Sequence, residues 1–216
     1  MSANFSYRQA WLNLLRQHRA IAVIRSPNLD LGRQIAQAIA AGGIRLIEIT
    51  WTSDRPAELI AQLRQDLPEC QIGAGTLLDC DQMQQAIAAG ASFLFSPHFQ
   101  LDLVKFACDR QVPVVPGCLS PTEIIAAWQA GASSVKVFPI QSMGGCQYLQ
   151  ALQAPLAGIP LIPTGGVTLA NARAFVEAGA IGVGLASDLF PPDLIKTENW
   201  AGITQRAKLL VQSLVL

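Results

Sequence analysis

Apolar residues along this chain fall in short bursts, and the spacing within the bursts switches between a helical and a strand period. Leu31, Ile35 and Ile39 sit four apart on one helical face. Stretches of this kind end at Ala-Gly, and a short β-branched or aromatic run follows within a few residues. Four such junctions occur: Ala41-Gly42-Gly43 before Leu46 to Ile49, Ala89-Gly90-Ala91 before Phe93 to Phe95, Ala130-Gly131-Ala132 before Val135 to Val137, and Ala178-Gly179-Ala180 before Ile181 to Val183. A glycine there closes the helix in the left-handed conformation and lets the chain turn back into a sheet. The junctions are 48, 41 and 48 residues apart, room for two strand-helix units in each interval.

Filling the intervals predicts eight strands, near residues 21–24, 46–50, 72–75, 93–96, 112–115, 134–138, 161–164 and 181–185. The helices between them carry start signals. Ser120-Pro121-Thr122-Glu123 combines an N-cap serine, a proline at the first helical position and a glutamate at the third. Ser53-Asp54 ahead of Pro56 reads as a second cap, and Thr168 as a third. A flanking helix is expected over residues 7–17 and a last one over 200–215. Repeated strand-helix alternation implies a parallel sheet, since each return to a parallel neighbour needs a crossover. An eight-fold (β/α)8 TIM barrel and an open doubly wound sheet both satisfy this. The barrel is favoured, because the count reaches eight unforced and no early G-x-G-x-x-G is present. The expectation is one α/β barrel domain over residues 1–216 with an N-terminal flanking helix, its site at the C-terminal strand ends.

Composition narrows the partners. Of 216 residues, 51% are hydrophobic and 14% charged, with 15 basic and 15 acidic side chains. That balance excludes disorder, and the scattered Arg and Lys argue against nucleic-acid backbone binding. No apolar run approaches the roughly 18 residues that span a membrane, and no signal-peptide core is present. Five widely spaced cysteines with no C-x-x-C argue against disulfides and zinc, and fit a cytoplasmic, reducing setting.

Against this background two charges are misplaced. Lys136 lies in the middle of Ser134-Val-Lys-Val-Phe138, where its ammonium is costly to bury unless paired or deprotonated. Alternation puts Lys136 and Phe138 on one face and Val135 and Val137 on the other, against the helices. A desolvated lysine of lowered pKa is what imine formation with a carbonyl requires; a structural ion pair or a lysine snorkelling to the rim reads equally well. Glu48, in Leu46-Ile-Glu-Ile-Thr50, also points inward, from a strand opposite that of Lys136 in an eight-stave barrel. It can serve as a proton shuttle or as a mere counter-ion. The small residues of Ile72-Gly-Ala-Gly-Thr76 would admit a substrate to the backbone, or simply make a turn. Pro163-Thr-Gly-Gly-Val167 and Gly184-Leu-Ala-Ser-Asp188 follow the last two strands, where barrels often bind phosphate through backbone N–H groups.

Ile-Glu-Ile-Thr (47–50), Gly-Ala-Gly-Thr (73–76), Ser-Pro-His (96–98), Val-Pro-Gly-Cys (115–118), Val-Lys-Val-Phe-Pro (135–139) and Pro-Thr-Gly-Gly-Val (163–167) occur in an order that resembles the 2-keto-3-deoxy-6-phosphogluconate and 4-hydroxy-2-oxoglutarate aldolase family, over roughly residues 10–190. The resemblance implies a class I aldolase barrel, usually a homotrimer, that forms a Schiff base with a phosphorylated keto-acid and releases pyruvate without metal or cofactor. It casts Lys136 as the imine-forming lysine and Glu48 as the general acid/base. Thr76 and Pro97 would line the pyruvate pocket beside Phe138, and Gly165, Gly166 and Ser187 would hold phosphate.

One position departs from the pattern. Gluconate-type members carry an arginine four residues after the glutamate, where this chain has Thr52. Arg25, Pro116-Gly-Cys118 and Ala186-Ser-Asp-Leu189 are more similar to 2-keto-3-deoxy-6-phosphogalactonate aldolases, which makes Arg25 the candidate ligand of the substrate carboxylate. A non-catalytic sugar-phosphate-binding barrel, and an isomerase-like or thiamin-phosphate-synthase-like barrel, stand as rivals; neither needs the inward lysine. His98, 80 residues from His18, is read as a rim or packing residue.

Overall fold

Among the described residues nine β-strands alternate with helices, except that the fifth and sixth follow each other directly, and all strand pairings are parallel. The computed structural model describes residues 3–215, with side chains from residue 7. The strands are β1 (Ala20–Ile24), β2 (Leu46–Thr50), β3 (Gln71–Gly75), β4 (Leu94–Phe95), β5 (Val114–Val115), β6 (Gly117–Cys118), β7 (Val135–Val137), β8 (Leu161–Pro163) and β9 (Val183–Leu185). The helices are α1 (Ala3–His18), α2 (Leu29–Ala41), α3 (Pro56–Asp66), α4 (Cys80–Ala88), α5 (Leu101–Asp109), α6 (Pro121–Ala130), α7 (Cys146–Gln153), α8 (Ala172–Glu177), α9 (Pro192–Lys196) and α10 (Trp200–Ser213). The short α9 has no counterpart among the expected helices. No described helix is long and apolar enough to cross a membrane.

Six strands form a curled parallel sheet in the order β5-β4-β3-β2-β1-β9, and three more form a sheet in the order β6-β7-β8. The expected fifth strand, 112–115, forms only over its last two residues as β5, and beyond Pro116 the chain makes a further strand, β6, that was not among the eight expected. Proline brings no N–H to a ladder. Val115 on one side of it accepts from Ser96 N at 3.2 Å, while the Pro116 carbonyl accepts from Lys136 N at 3.0 Å. At the other seam a parallel bridge joins Thr164 to Gly184, and Ile181 N donates to Leu161 O at 3.1 Å.

Each of the four Ala-Gly junctions carries a glycine of positive φ: Gly43 at 96°, Gly90 at 94°, Gly131 at 110° and Gly179 at 101°. The Ser120 capping box forms in full, with Ser120 Oγ accepting from Glu123 N and the Glu123 carboxylate accepting from Ser120 N. The other two expected caps come out differently. The residue ahead of α3 is Arg55, in the left-handed region at φ 43°, while Ser53 Oγ instead accepts from Ser26 N at 3.2 Å. Thr168 forms a reciprocal turn with Asn171, and α8 begins only after that turn. At Ser53 a tertiary contact takes the hydroxyl, whereas Thr168 makes a capping-type bond, Oγ1 accepting from Asn171 N at 3.3 Å, but in a turn ahead of the helix.

Strand alternation sorts the side chains into two cores. Ile47, Ile49, Val135 and Val137 face the helices. Ile21, Leu46, Phe93, Phe95, Val115 and Ile162 form a separate cluster closed by Trp11 and Leu15 of α1. Trp11 is 1% exposed, stacks 5.0 Å from Phe93, and donates from Nε1 to Ser134 Oγ at 3.0 Å. This layer is the floor beneath Glu48 and Lys136, which follow Leu46 and Ser134 by two residues. Trp11→Ala is expected to cost about 3–5 kcal/mol, since it opens a cavity and strands the Ser134 hydroxyl. Urea unfolding monitored by circular dichroism measures the loss; a cost below about 1 kcal/mol would mean that α1 does not close the floor.

Candidate active site

Above the floor, at the C-terminal strand ends, lies a cavity of about 280 Å³. Inward positions of successive strands build it: Val23 and Arg25 continue β1, Glu48 and Thr50 stand on β2, Lys136 on β7, and Gly184 on β9. All nine residues singled out from the sequence line it: Arg25, Glu48, Thr76, Pro97, Lys136, Phe138, Gly165, Gly166 and Ser187. His98 does not line it; its Nδ1 lies 3.1 Å from Ser96 Oγ, in keeping with a rim role.

Glu48 and Lys136 are 1% and 6% exposed. Burial pushes the Glu48 carboxyl above its ordinary pKa, and the charges of Lys136 and Arg25 pull partly against that rise. The two side chains nevertheless form no ion pair within 4.0 Å among the described residues. Glu48 Oε1 is buried and has no hydrogen-bond partner among the described residues. A carboxylate selected only as a structural counter-ion would close on its cation, because leaving a buried oxygen unpaired costs about 1–3 kcal/mol or more. Standing apart from Lys136 and lining the cavity, the carboxyl is placed to meet a molecule bound there. The Lys136 ammonium nitrogen lies 4.7 Å from the centroid of the half-exposed Phe138 ring, which roofs it on the solvent side.

Small residues make the room. A Cβ at Gly75 would lie 1.7 Å from Glu48 Oε1, so only glycine lets the carboxylate rest over β3. Thr76, next in sequence, holds φ at 59°, an unusual conformation for a threonine and one that recurs at functional sites. Gly165 and Gly166 have φ of 86° and 90°. Among the described residues their amides, and that of Ser187, make no hydrogen bond, which leaves them as free donors on residues that line the cavity.

Two lining hydroxyls escaped the sequence reading. Thr164 Oγ1 is the second buried polar atom without a partner, and it faces the same cavity as the first. The signal was available: alternation from the inward Ile162 puts Thr164 inward. Thr50 donates or accepts with Ser53 Oγ at 3.2 Å and accepts from Thr52 Oγ1 at 3.2 Å. Thr52, at the position where an arginine was expected, is therefore engaged in a hydroxyl chain at the rim. Arg25 stands exposed at the mouth and makes no ion pair among the described residues.

Comparison with known proteins agrees with this geometry. The family model for KDPG and KHG aldolase matches residues 12–206. A 2-dehydro-3-deoxy-phosphogluconate aldolase of Treponema pallidum is 34% identical over 198 residues, covering 92% of this chain and 94% of the relative. Among solved structures, a native KDPGal structure superposes with a TM-score of 0.82 at 29% identity, covering 90% of this chain and 93% of the other. A KDPG aldolase from Legionella pneumophila, with pyruvate captured at low pH as a covalent carbinolamine intermediate, has a TM-score of 0.82 at 28% identity, covering 91% and 96% of the two chains. With a buried lysine and carboxylate meeting in one cavity and the family model spanning most of its length, this chain belongs to the KDPG and KHG aldolase family.

Proposed function

We propose that the protein is a class I aldolase that cleaves a phosphorylated 2-keto-3-deoxy acid, or 4-hydroxy-2-oxoglutarate, to pyruvate and an aldehyde through an imine on Lys136, with neither metal nor cofactor. The observation that carries this is the pair of buried ionisable side chains, Glu48 and Lys136, lining one cavity without closing into an ion pair among the described residues. The two sheets then act as one closed eight-stave barrel and a single domain over residues 1–216. The Pro116 break and the Thr164–Gly184 bridge are its two seams.

Neutral Lys136 attacks the C2 ketone to give a carbinolamine, which loses water to a protonated imine. Glu48 takes the proton of the C4 hydroxyl, the C3–C4 bond breaks, and its electron pair moves into the imine to give an enamine. The aldehyde leaves. Glu48 returns the proton to C3, and water hydrolyses the pyruvyl imine to pyruvate and free lysine. A carboxyl whose pKa is raised by burial is suited to both halves of that cycle. Thr76 and Pro97 hold the pyruvyl group, Phe138 covers the lysine, and Arg25 is the exposed lining cation at hand for the substrate carboxylate. Gly165, Gly166 and Ser187 receive the phosphate through their amides. The Legionella relative, which captured pyruvate covalently, supports the first step. By family likeness the protein works in the cytoplasm as a homotrimer.

Arg25 without an arginine at position 52 favours the galactonate-type C4 epimer. A coupled assay of pyruvate release with both C4 epimers of the phosphorylated keto-acid and with 4-hydroxy-2-oxoglutarate tests this. Cleavage of the galactonate epimer with at least about tenfold higher kcat/KM is expected, as a site built around one orientation of a hydroxyl discriminates against the other. Preference for the gluconate epimer overturns the stereochemical reading, and no turnover of any of the three leaves a non-catalytic sugar-phosphate barrel.

A further inference from the structure

The phosphate end of the cavity contains a carboxylate. Asp188 lines it, one residue after Ser187, and is the only acidic lining residue besides Glu48. An unneutralised carboxylate there would repel a dianionic ligand. Arg206, on α10, deals with it. Its Nε and Nη2 donate to the Asp188 carbonyl at 2.8 and 2.5 Å, and Nη2 lies 3.2 Å from Asp188 Oδ2. The same Oδ2 accepts from Leu169 N at 2.8 Å. One guanidinium thus holds both the backbone and the side chain of the loop after β9, and through Oδ2 it fixes the loop after β8. Thr168 N is likewise spent, on Asn171 Oδ1 at 2.7 Å. The amides of Thr168 and Leu169 are thus consumed within the protein, whereas those of Gly165, Gly166 and Ser187 make no hydrogen bond among the described residues and stay available to an anion.

We propose that Arg206 is a positioning residue for the phosphate subsite: it neutralises Asp188 and clamps its carboxylate on the Leu169 amide, which sets the two anion-binding loops in register. The inference rests on the phosphate reading given under Proposed function and names a residue, outside the cavity, on which that subsite depends.

The test compares KM for the phosphorylated keto-acid with KM for 4-hydroxy-2-oxoglutarate in wild type, Arg206→Met, Arg206→Lys and the double variant Arg206→Met/Asp188→Asn. Arg206→Met is expected to raise KM for the phosphorylated substrate about tenfold, an effect that shrinks as salt rises, with KM for the unphosphorylated substrate within about twofold of wild type. Arg206→Lys keeps the charge without the fork and is expected to give a smaller rise, about threefold, on the phosphorylated substrate alone. The double variant removes the stranded carboxylate and is expected to recover most of the loss. Equal KM changes on both substrates, or a double variant no better than Arg206→Met, overturn the proposal by showing a purely structural role. If Arg206→Met does not fold, an unchanged KM in Arg206→Lys overturns it equally. A wild type indifferent to phosphate is a separate result, visible before any substitution: it removes the phosphate reading and this inference with it.

Discussion

Lys136→Met is expected to lose about 10⁴-fold or more in kcat while remaining folded. Removing a covalent nucleophile takes away the step that divides the reaction, and what is left is the contribution of binding and neighbouring groups. The fold should tolerate the change. Lys136 is buried against Phe138 and between Val135 and Val137, and no ion pair or side-chain hydrogen bond is broken by its removal among the described residues. Methionine has a similar length and no charge to desolvate, so stability should hold or rise. Borohydride added with pyruvate should give wild type one covalent adduct, located by peptide mass spectrometry on Lys136, and should give the variant none. The other three lysines, Lys105, Lys196 and Lys208, lie outside the cavity and serve as internal controls. An adduct on any of them, or undiminished turnover in the variant, refutes the imine assignment.

How far this site was legible in advance depends on how local its causes are. Alternation along a five-residue strand puts Glu48 inward because Leu46 and Thr50 flank it at a spacing of two, and the same logic handles Lys136. Both readings needed only neighbours in sequence. The floor of Trp11, Phe93 and Phe95 needed more, because α1 reaches across the sheet to close it and nothing near Trp11 specifies Ser134 as its partner. Ser53 shows the opposite failure. Its local pattern is that of a helix cap, yet its hydroxyl is taken by the Ser26 amide from another loop. The break at Pro116 was visible as a proline, but which side pairs with β4 and which with β7 follows from the curl of the sheet. Asp188 was visible only as part of the loop after the last strand, and nothing in that loop points to its partner Arg206, which lies 18 residues away and on a different element. The decisive property of Glu48, that it is near Lys136 and yet unpaired, is a distance, and no spacing rule contains it.

That property sets the second large expectation. Glu48→Gln should lower kcat about 10²- to 10⁴-fold, the usual worth of a positioned acid/base group, while borohydride still traps pyruvate on Lys136. Imine formation and proton transfer would then be separated in one variant. Stability should move the other way. Because burial raises the folded-state pKa of Glu48 above its unfolded value, the folded protein holds this proton to higher pH than the unfolded chain does. The contribution to stability is fully present below the ordinary carboxylate range and is lost as pH rises from there through the raised value. Glutamine cannot ionise, so the variant should lose that slope and be at least as stable as wild type at neutral pH. Denaturant unfolding of both proteins from about pH 4 to pH 8 measures the difference. Parallel pH profiles would mean that Glu48 titrates as it does in the unfolded chain, and a variant less stable than wild type at pH 8 would mean that its carboxylate is a structural counter-ion to Lys136 after all. If stability rises while turnover falls, the protein is holding an unpaired buried carboxylate at a cost to its own fold, and Gly75, where any Cβ would collide with Oε1, is the residue that makes room for it.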